Sequence, residues 1–229
     1  MLFRSIQQLN ALKASIESSH KVRVYTLEKD LSKPSAAQEI FAFTQSNGLT
    51  IEILINNAGF GYMDDFIDAP LQKDEDMIHV NMLALTQLTK LYVQQMVQRG
   101  IGRVLNVASV AAFQPGPTFA VYSATKAYVL HFSEAVASEL EGTGVTVTAL
   151  CPGPTATAFL SVAAMEESAL VKGKKLPSAE AVARYGYDAM MAGKRVVIYG
   201  IQNALQVFGI RFTPRNMVTK VARMVLRRK

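Results

Sequence analysis

The sequence predicts an α/β fold in which a parallel sheet lies between two layers of helices. Three observations carry this. Short apolar runs alternate with stretches of helical periodicity ten residues or more in length. The runs are nearly continuous in apolar residues, as strands are when both faces are covered. Polar clusters follow them at Asp30, Asn56-Asn57, Ser109 and Pro152-Gly153. Those clusters fall at carboxyl ends of strands, where such sheets hold their ligands.

The elements follow in order. Ile6, Leu9, Leu12 and Ile16 repeat at helical spacing over residues 5–19. Val22, Val24 and Thr26 alternate, which predicts a strand over 22–27 ending in the Asp30-Leu31 turn. A helix over 35–45 follows Pro34, and a strand over 51–55 runs into Asn56-Asn57-Ala58-Gly59. One long helix is expected from about 72 to 98 and another from about 118 to 140. Between them Gly102 to Ala108 reads as a strand, and Val145 to Leu150 as the next. A last strand at 195–199 sits between helices at about 178–192 and 202–227.

Apolar residues make up 50% of the 229, enough for a large core, and the length fits one domain over 1–229. Cys151 is the only cysteine, so no intrachain disulfide forms. His20, His79 and His131 lack metal-ligand spacing. No apolar run reaches the roughly 18 residues that span a bilayer, and a cytoplasmic location is expected. The net charge is +6, yet no acidic residue follows Asp188 and nine basic ones do. That basic, amphipathic end at 202–229 suits peripheral contact with an anionic membrane; a solvated helix face is its plainer reading. No nucleic-acid role is expected, because aromatic residues are not interleaved with those charges.

Tyr122 and Lys126 lie four apart on an expected helix, so they share a face. A free tyrosine has a pKa near 10 and is a poor acid–base group at neutral pH. An ammonium beside it favours the phenolate, and Lys126 has donors for a ribose hydroxyl as well. Ser109 could steady a carbonyl oxygen, and Asn81, among apolar neighbours, could hold a water. Each has a plainer reading: a surface helix, a helix cap and a satisfied core amide.

Asn56-Asn57-Ala58-Gly59, Asn81, Ser109, Tyr122-Ser123-Ala124-Thr125-Lys126 and Pro152-Gly153 occur in the order, spacing and context of one family. On these motifs the chain resembles the short-chain dehydrogenases/reductases over essentially its whole length. It looks most like the broad bacterial group with ketoacyl and hydroxysteroid reductase-like members. The resemblance implies a Rossmann-like, doubly wound sheet and an NADP- or NAD-dependent oxidoreductase. Hydride would pass between a nicotinamide and a carbonyl or secondary alcohol, on an apolar small-molecule substrate.

It also implies roles. Tyr122 is the general acid or base, Lys126 lowers its pKa and holds the ribose, Ser109 orients the carbonyl, and Asn81 anchors a proton-relay water. Asp30 and Leu31 meet the adenine. Asn57, Ala58 and Gly59 line the cofactor beside Pro152 and Gly153. Thr155 and Thr157 sit by the carboxamide or phosphates. Residues 157–178, with Phe159, Leu160, Met165 and Leu170, form the substrate lid. A dimer or tetramer through the two long helices is implied by analogy.

One part of the family pattern is missing. The first sixty residues hold only Gly48 and Gly59, so the first strand, the glycine-rich phosphate turn and the second strand are lacking. The chain is therefore expected to be a truncated fragment that binds dinucleotide weakly. Arg4 would match an arginine that grips the 2′-phosphate in NADP-preferring relatives. The competing readings are an inactive, cofactor-free binding module and, with the same Tyr–Lys pair, an epimerase or dehydratase. The short 157–178 segment leaves little room for the sugar-nucleotide domain that the last would need.

Overall fold

The structure, a computed structural model, describes residues 6–166 and 168–226. In chain order the elements are α1 (Ile6–His20), α2 (Ala36–Ser46), β1 (Ile53–Asn56), α3 (Leu71–Ile78), α4 (Leu85–Arg99), β2 (Gly102–Val107) and α5 (Ala120–Glu139). They continue as β3 (Val145–Cys151), α6 (Phe159–Val162), α7 (Ala179–Met191), β4 (Val196–Ile198), α8 (Ile201–Ile210) and α9 (Arg215–Leu226). The four strands pair in parallel in the order β1-β2-β3-β4, with Val104 opposite Val147 and Leu150 opposite Val197. The α/β class with a parallel sheet and helices on both faces is thus as expected.

Side-chain alternation sorts the core by face. Val104, Val145 and Val147 pack against Leu88, Tyr92 and Met96 of α4 and Ala137 of α5. Leu105, Leu150 and Val197 point the other way, onto Val182, Ala189 and Met190 of α7. Close approach on that second face depends on Gly186, where an added Cβ would stand 2.6 Å from a Leu150 methyl.

Three expectations need correction. Residues 22–27 form no strand: a parallel strand needs a ladder neighbour, and the described residues offer none. The segment bonds back to α1 instead, with Val24 N donating to Glu17 Oε1 at 2.8 Å and Thr26 Oγ1 to Asn10 Oδ1 at 3.2 Å. The helix expected over 72–98 is broken by a π-helical stretch at His79–Ala84, between α3 and α4. The helix expected over 202–227 is two, because Pro214 lacks the N–H that would carry a helix through it.

Candidate active site

The site is built where the carboxyl ends of β2 and β3 meet α5. Tyr122 and Lys126 sit one turn apart on α5, and only 7% and 5% of their surfaces are exposed. Lys126 Nζ lies 5.8 Å from the Tyr122 ring centroid and donates to the Val107 carbonyl at 2.7 Å. Val107 ends β2, and Ser109 follows. The Ser109 hydroxyl accepts from Ala111 N at 3.1 Å, capping a 3₁₀ turn at Val110–Phe113, and faces the Pro152 carbonyl beyond β3 at 3.5 Å. The capping reading of Ser109 and its place in the site are therefore both true.

The electrostatics differ from the simple spacing argument. Burial pushes the Tyr122 phenol up to about 12, and a hydrogen bond with Ser109 offsets only part of that. Burial also brings the Lys126 ammonium down to about 8. The expected phenolate is thus not the resting form. The Lys126 head is occupied by a backbone carbonyl, and burial sets the direction of both shifts. Burial likewise raises the Cys151 thiol to about 12, which leaves it an inert core group.

Asn81 sits in the π-helical stretch, a feature often found at functional sites. Its Oδ1 accepts from Phe60 N at 3.1 Å, and its Nδ2 donates to Phe60 O and to Thr125 Oγ1, both at 3.0 Å. The side chain is a clamp between the loop after β1 and helix α5. That loop brings Gly59 against the site: an added Cβ there would meet Asn81 Oδ1 at 3.1 Å and Lys126 Nζ at 3.3 Å. Two residues on, a Cβ at Gly61 would strike the Phe119 ring at 2.6 Å.

An apolar wall faces the phenol. Phe119 stacks on Tyr122 with ring centroids 4.2 Å apart, and Phe159 stands at 5.4 Å. Phe60, Met63, Met77, Val80, Ala163, Met165 and Leu226 complete the cluster, with Leu160 and Leu170 packed against it. The 157–178 segment, expected to be the lid, forms α6 and its flanks and is tied down where Ala156 bridges Ser178.

The structure gathers Gly59, Asn81, Ser109, Tyr122 and Lys126 at one place. Pro152 touches this group through its carbonyl, and Gly153 packs closely on Asn203, where an added Cβ would fall 2.6 Å from the amide. Thr155 turns its hydroxyl onto the Gly153 carbonyl at 3.0 Å, and the Thr157 hydroxyl accepts from Phe159 N at 3.3 Å. Asn57 and Ala58 are exposed and, with Leu31, line a cavity of about 320 Å³ along the edge of β1. Asp30 accepts from the Ser32 backbone and hydroxyl in a tight turn. Arg4 lies outside the described residues.

Sequence reasoning missed Thr125, Phe119 and Gly61. It also missed a buried polar chain, in which Asn56 Nδ2 donates to Asn106 at 2.8 Å and to Thr89 at 3.0 Å, and Asn106 donates to Ser133 at 2.9 Å. The signal for that chain was Asn106 itself, an amide inside an apolar strand that needed partners.

Against known proteins, the family profile described as "short chain dehydrogenase" matches residues 1–167. The chain belongs to the short-chain dehydrogenase family. It is 33% identical over 160 residues to a 7beta-hydroxysteroid dehydrogenase of Collinsella aerofaciens, covering 70% of this chain and 60% of that protein. It is 31% identical over 158 residues to a very-long-chain 3-oxoacyl-CoA reductase-B of Danio rerio, covering 66% and 50%. The structure superimposes on a short-chain dehydrogenase from Sphingobium yanoikuyae in complex with NADPH, with a TM-score of 0.81, 27% identity and coverage of 91% and 80%. The chain thus spans between half and three fifths of the length of these curated relatives.

In this short-chain dehydrogenase, Ser109, Tyr122 and Lys126, the residues expected to act together, are all buried at one place. The residues present fit the nicotinamide-ribose half of a dinucleotide. The cradle at Gly59, beside the Lys126 ammonium, is space that any larger side chain would fill. They do not fit the pyrophosphate half, for which the described residues offer no glycine-rich turn.

Proposed function

We propose that this chain is an NAD(P)-dependent oxidoreductase that interconverts a ketone and a secondary alcohol on an apolar skeleton. The observation that carries this is the Ser109–Tyr122–Lys126 cluster beneath the wall of Phe119, Phe159 and Met165. NADP is the preferred cofactor in this reading, with NAD the alternative. The cofactor supplies or accepts the hydride; the protein positions and polarises. The ribose hydroxyls fall to Lys126, the face of the cofactor to Asn57, Ala58 and Gly59, and the carboxamide side to Thr155 and Thr157. Asp30 and Leu31 stand for the adenine end.

The protein's part is proton handling. The Ser109 hydroxyl, which holds the Tyr122 phenol below the pKa that burial alone would set, and the phenol itself would converge on a carbonyl oxygen. Burial keeps the phenol protonated at neutral pH, and that is the form that delivers a proton to the oxygen in reduction. In oxidation the Tyr122 phenolate oxygen would take the proton from the alcohol hydroxyl, and the Lys126 charge would steady that phenolate. Asn81 holds the loop that carries Gly59. The apolar wall excludes water and favours substrates like those for which two relatives are named, a steroid and a long acyl chain. The reading includes one domain, a cytosolic location, and a dimer or tetramer through α4 and α5.

NADPH consumption against a panel of ketones tests it, with Tyr122→Phe as control. Ketone-dependent turnover lost in the control supports the reading, and the same turnover in both overturns it. A second reading, a chain that keeps the proton-handling set but does not hold dinucleotide, is favoured by the open edge of β1. NADPH titration separates the two: micromolar affinity removes the second.

A further inference from the structure

The catalytic reading leaves α8 and α9 unexplained. On α8 and the turn after it, Ile201, Leu205, Phe208 and Phe212 are all exposed, and their spacing of four, three and four places them on one helical face. The exposure is large: 77% for Ile201 and 75% for Phe212. On α9, Val218, Ala222 and Leu226 face inward, while Met217, Val221 and Met224 repeat the same spacing outward. Arg211, Arg215, Lys220 and Arg223 are exposed among them. The sequence continues into Arg227-Arg228-Lys229, and no acidic residue follows Asp188.

We propose that α8 and α9 lie on the surface of an anionic lipid bilayer. α9 is strongly amphipathic yet polar on average, with its charge all basic, which is the character of a helix that rests in the interface plane. Anionic headgroups attract such a segment, and the apolar side chains enter the boundary below them. Among the described residues no helix is long and apolar enough to cross a membrane, so the contact is peripheral. A second copy of the chain is a poor occupant. It would set seven positive charges against seven, with no acidic side chain on either segment to pair them.

The surface also reaches the site. Leu226, on the inner face of α9, belongs to the apolar cluster of Tyr122, Phe119 and Met165. One face of the helix packs into the cluster around Tyr122 while another meets lipid. On the proposed oxidoreductase reading, an apolar ketone dissolved in the bilayer would then lie beside its pocket.

Co-sedimentation of the purified chain with vesicles tests the docking without reading activity, so its failure and that of the catalytic reading are distinct. Vesicles of phosphatidylcholine with phosphatidylglycerol should pellet the chain, and vesicles of phosphatidylcholine alone should not. Molar salt should release it. Phe208→Asp and Phe212→Asp, both at exposed positions, should cut the bound fraction at least tenfold while leaving the circular dichroism spectrum and turnover of water-soluble ketones unchanged. Equal binding to both vesicle types, or undiminished binding of both variants, overturns the proposal. So does a dimer in light scattering that Phe212→Asp dissolves, since it assigns the face to a second copy. Binding to an acidic polypeptide with no vesicle binding overturns it in favour of a protein partner.

Discussion

Two sides of the same sheet are finished to different degrees. Around β2, β3 and α5, polar groups at the site have partners: Lys126 has Val107, Asn81 has Phe60 and Thr125, and Asn56 joins Asn106 and Ser133. Around β1 the described residues leave an edge. Ile53 and Ile55 point to the face opposite α4, and Ile55 is 49% exposed. The neighbouring 22–27 segment bonds to α1 side chains rather than to a ladder. The contrast teaches that Ser109, Tyr122 and Lys126 are held by neighbouring elements of a paired sheet, whereas among the described residues β1 has a ladder partner on one side only.

The largest expected effect lies on the finished side. Tyr122→Phe removes the proton donor and should lower kcat/KM for ketone reduction by about 10³-fold, within the range for a positioned acid–base group. Thermal unfolding should be little changed, and a loss of activity that simply tracked unfolding would collapse the distinction between the two sides.

pH sharpens it next. Lys126 is held at about 8, so its charge is present below that pH and disappears as pH rises through it. The phenol keeps its proton up to about 12. Reduction should therefore fall above pH 8 with the slope of one ionisation, roughly tenfold per pH unit. A rate flat to pH 10 would separate Lys126 from the chemistry.

Stability gives the third measure. Asn106→Ala strips partners from Asn56 and Ser133 in a buried chain and should cost about 1–3 kcal/mol in denaturant unfolding. The smallest effect belongs to the open edge, where Ile55→Lys should change stability by less than about 0.5 kcal/mol. If the two substitutions cost the same, the edge of β1 is covered in solution and the contrast fails.

These outcomes mirror what the sequence made legible. The Tyr122–Lys126 face followed from helical periodicity alone, because both residues lie on one unbroken helix. The depth of burial did not, and with it went the direction of the Tyr122 shift: spacing places a lysine beside a tyrosine but says nothing of the solvent lost around both. Residues 22–27 alternate correctly for a strand, yet a strand is a pairing, and its partner is not encoded in its own pattern. Pro214, by contrast, carried the signal for the break between α8 and α9, and the expectation of one helix over 202–227 passed over it. The π-helical stretch left no comparable mark, since an extra residue per turn leaves apolar residues at nearly the same spacing.

The Asn81 clamp has one further consequence. Its three hydrogen bonds tie a loop 21 residues upstream to a helix residue 44 residues downstream. Such ties act on the chain as closures of two loops at once, and closure entropy grows only slowly with loop length. A single amide thus does part of the work of a crosslink in a chain with one cysteine. Aspartate in its place would keep the acceptor and lose both donated bonds, releasing the Thr125 anchor while leaving the Phe60 N–H held.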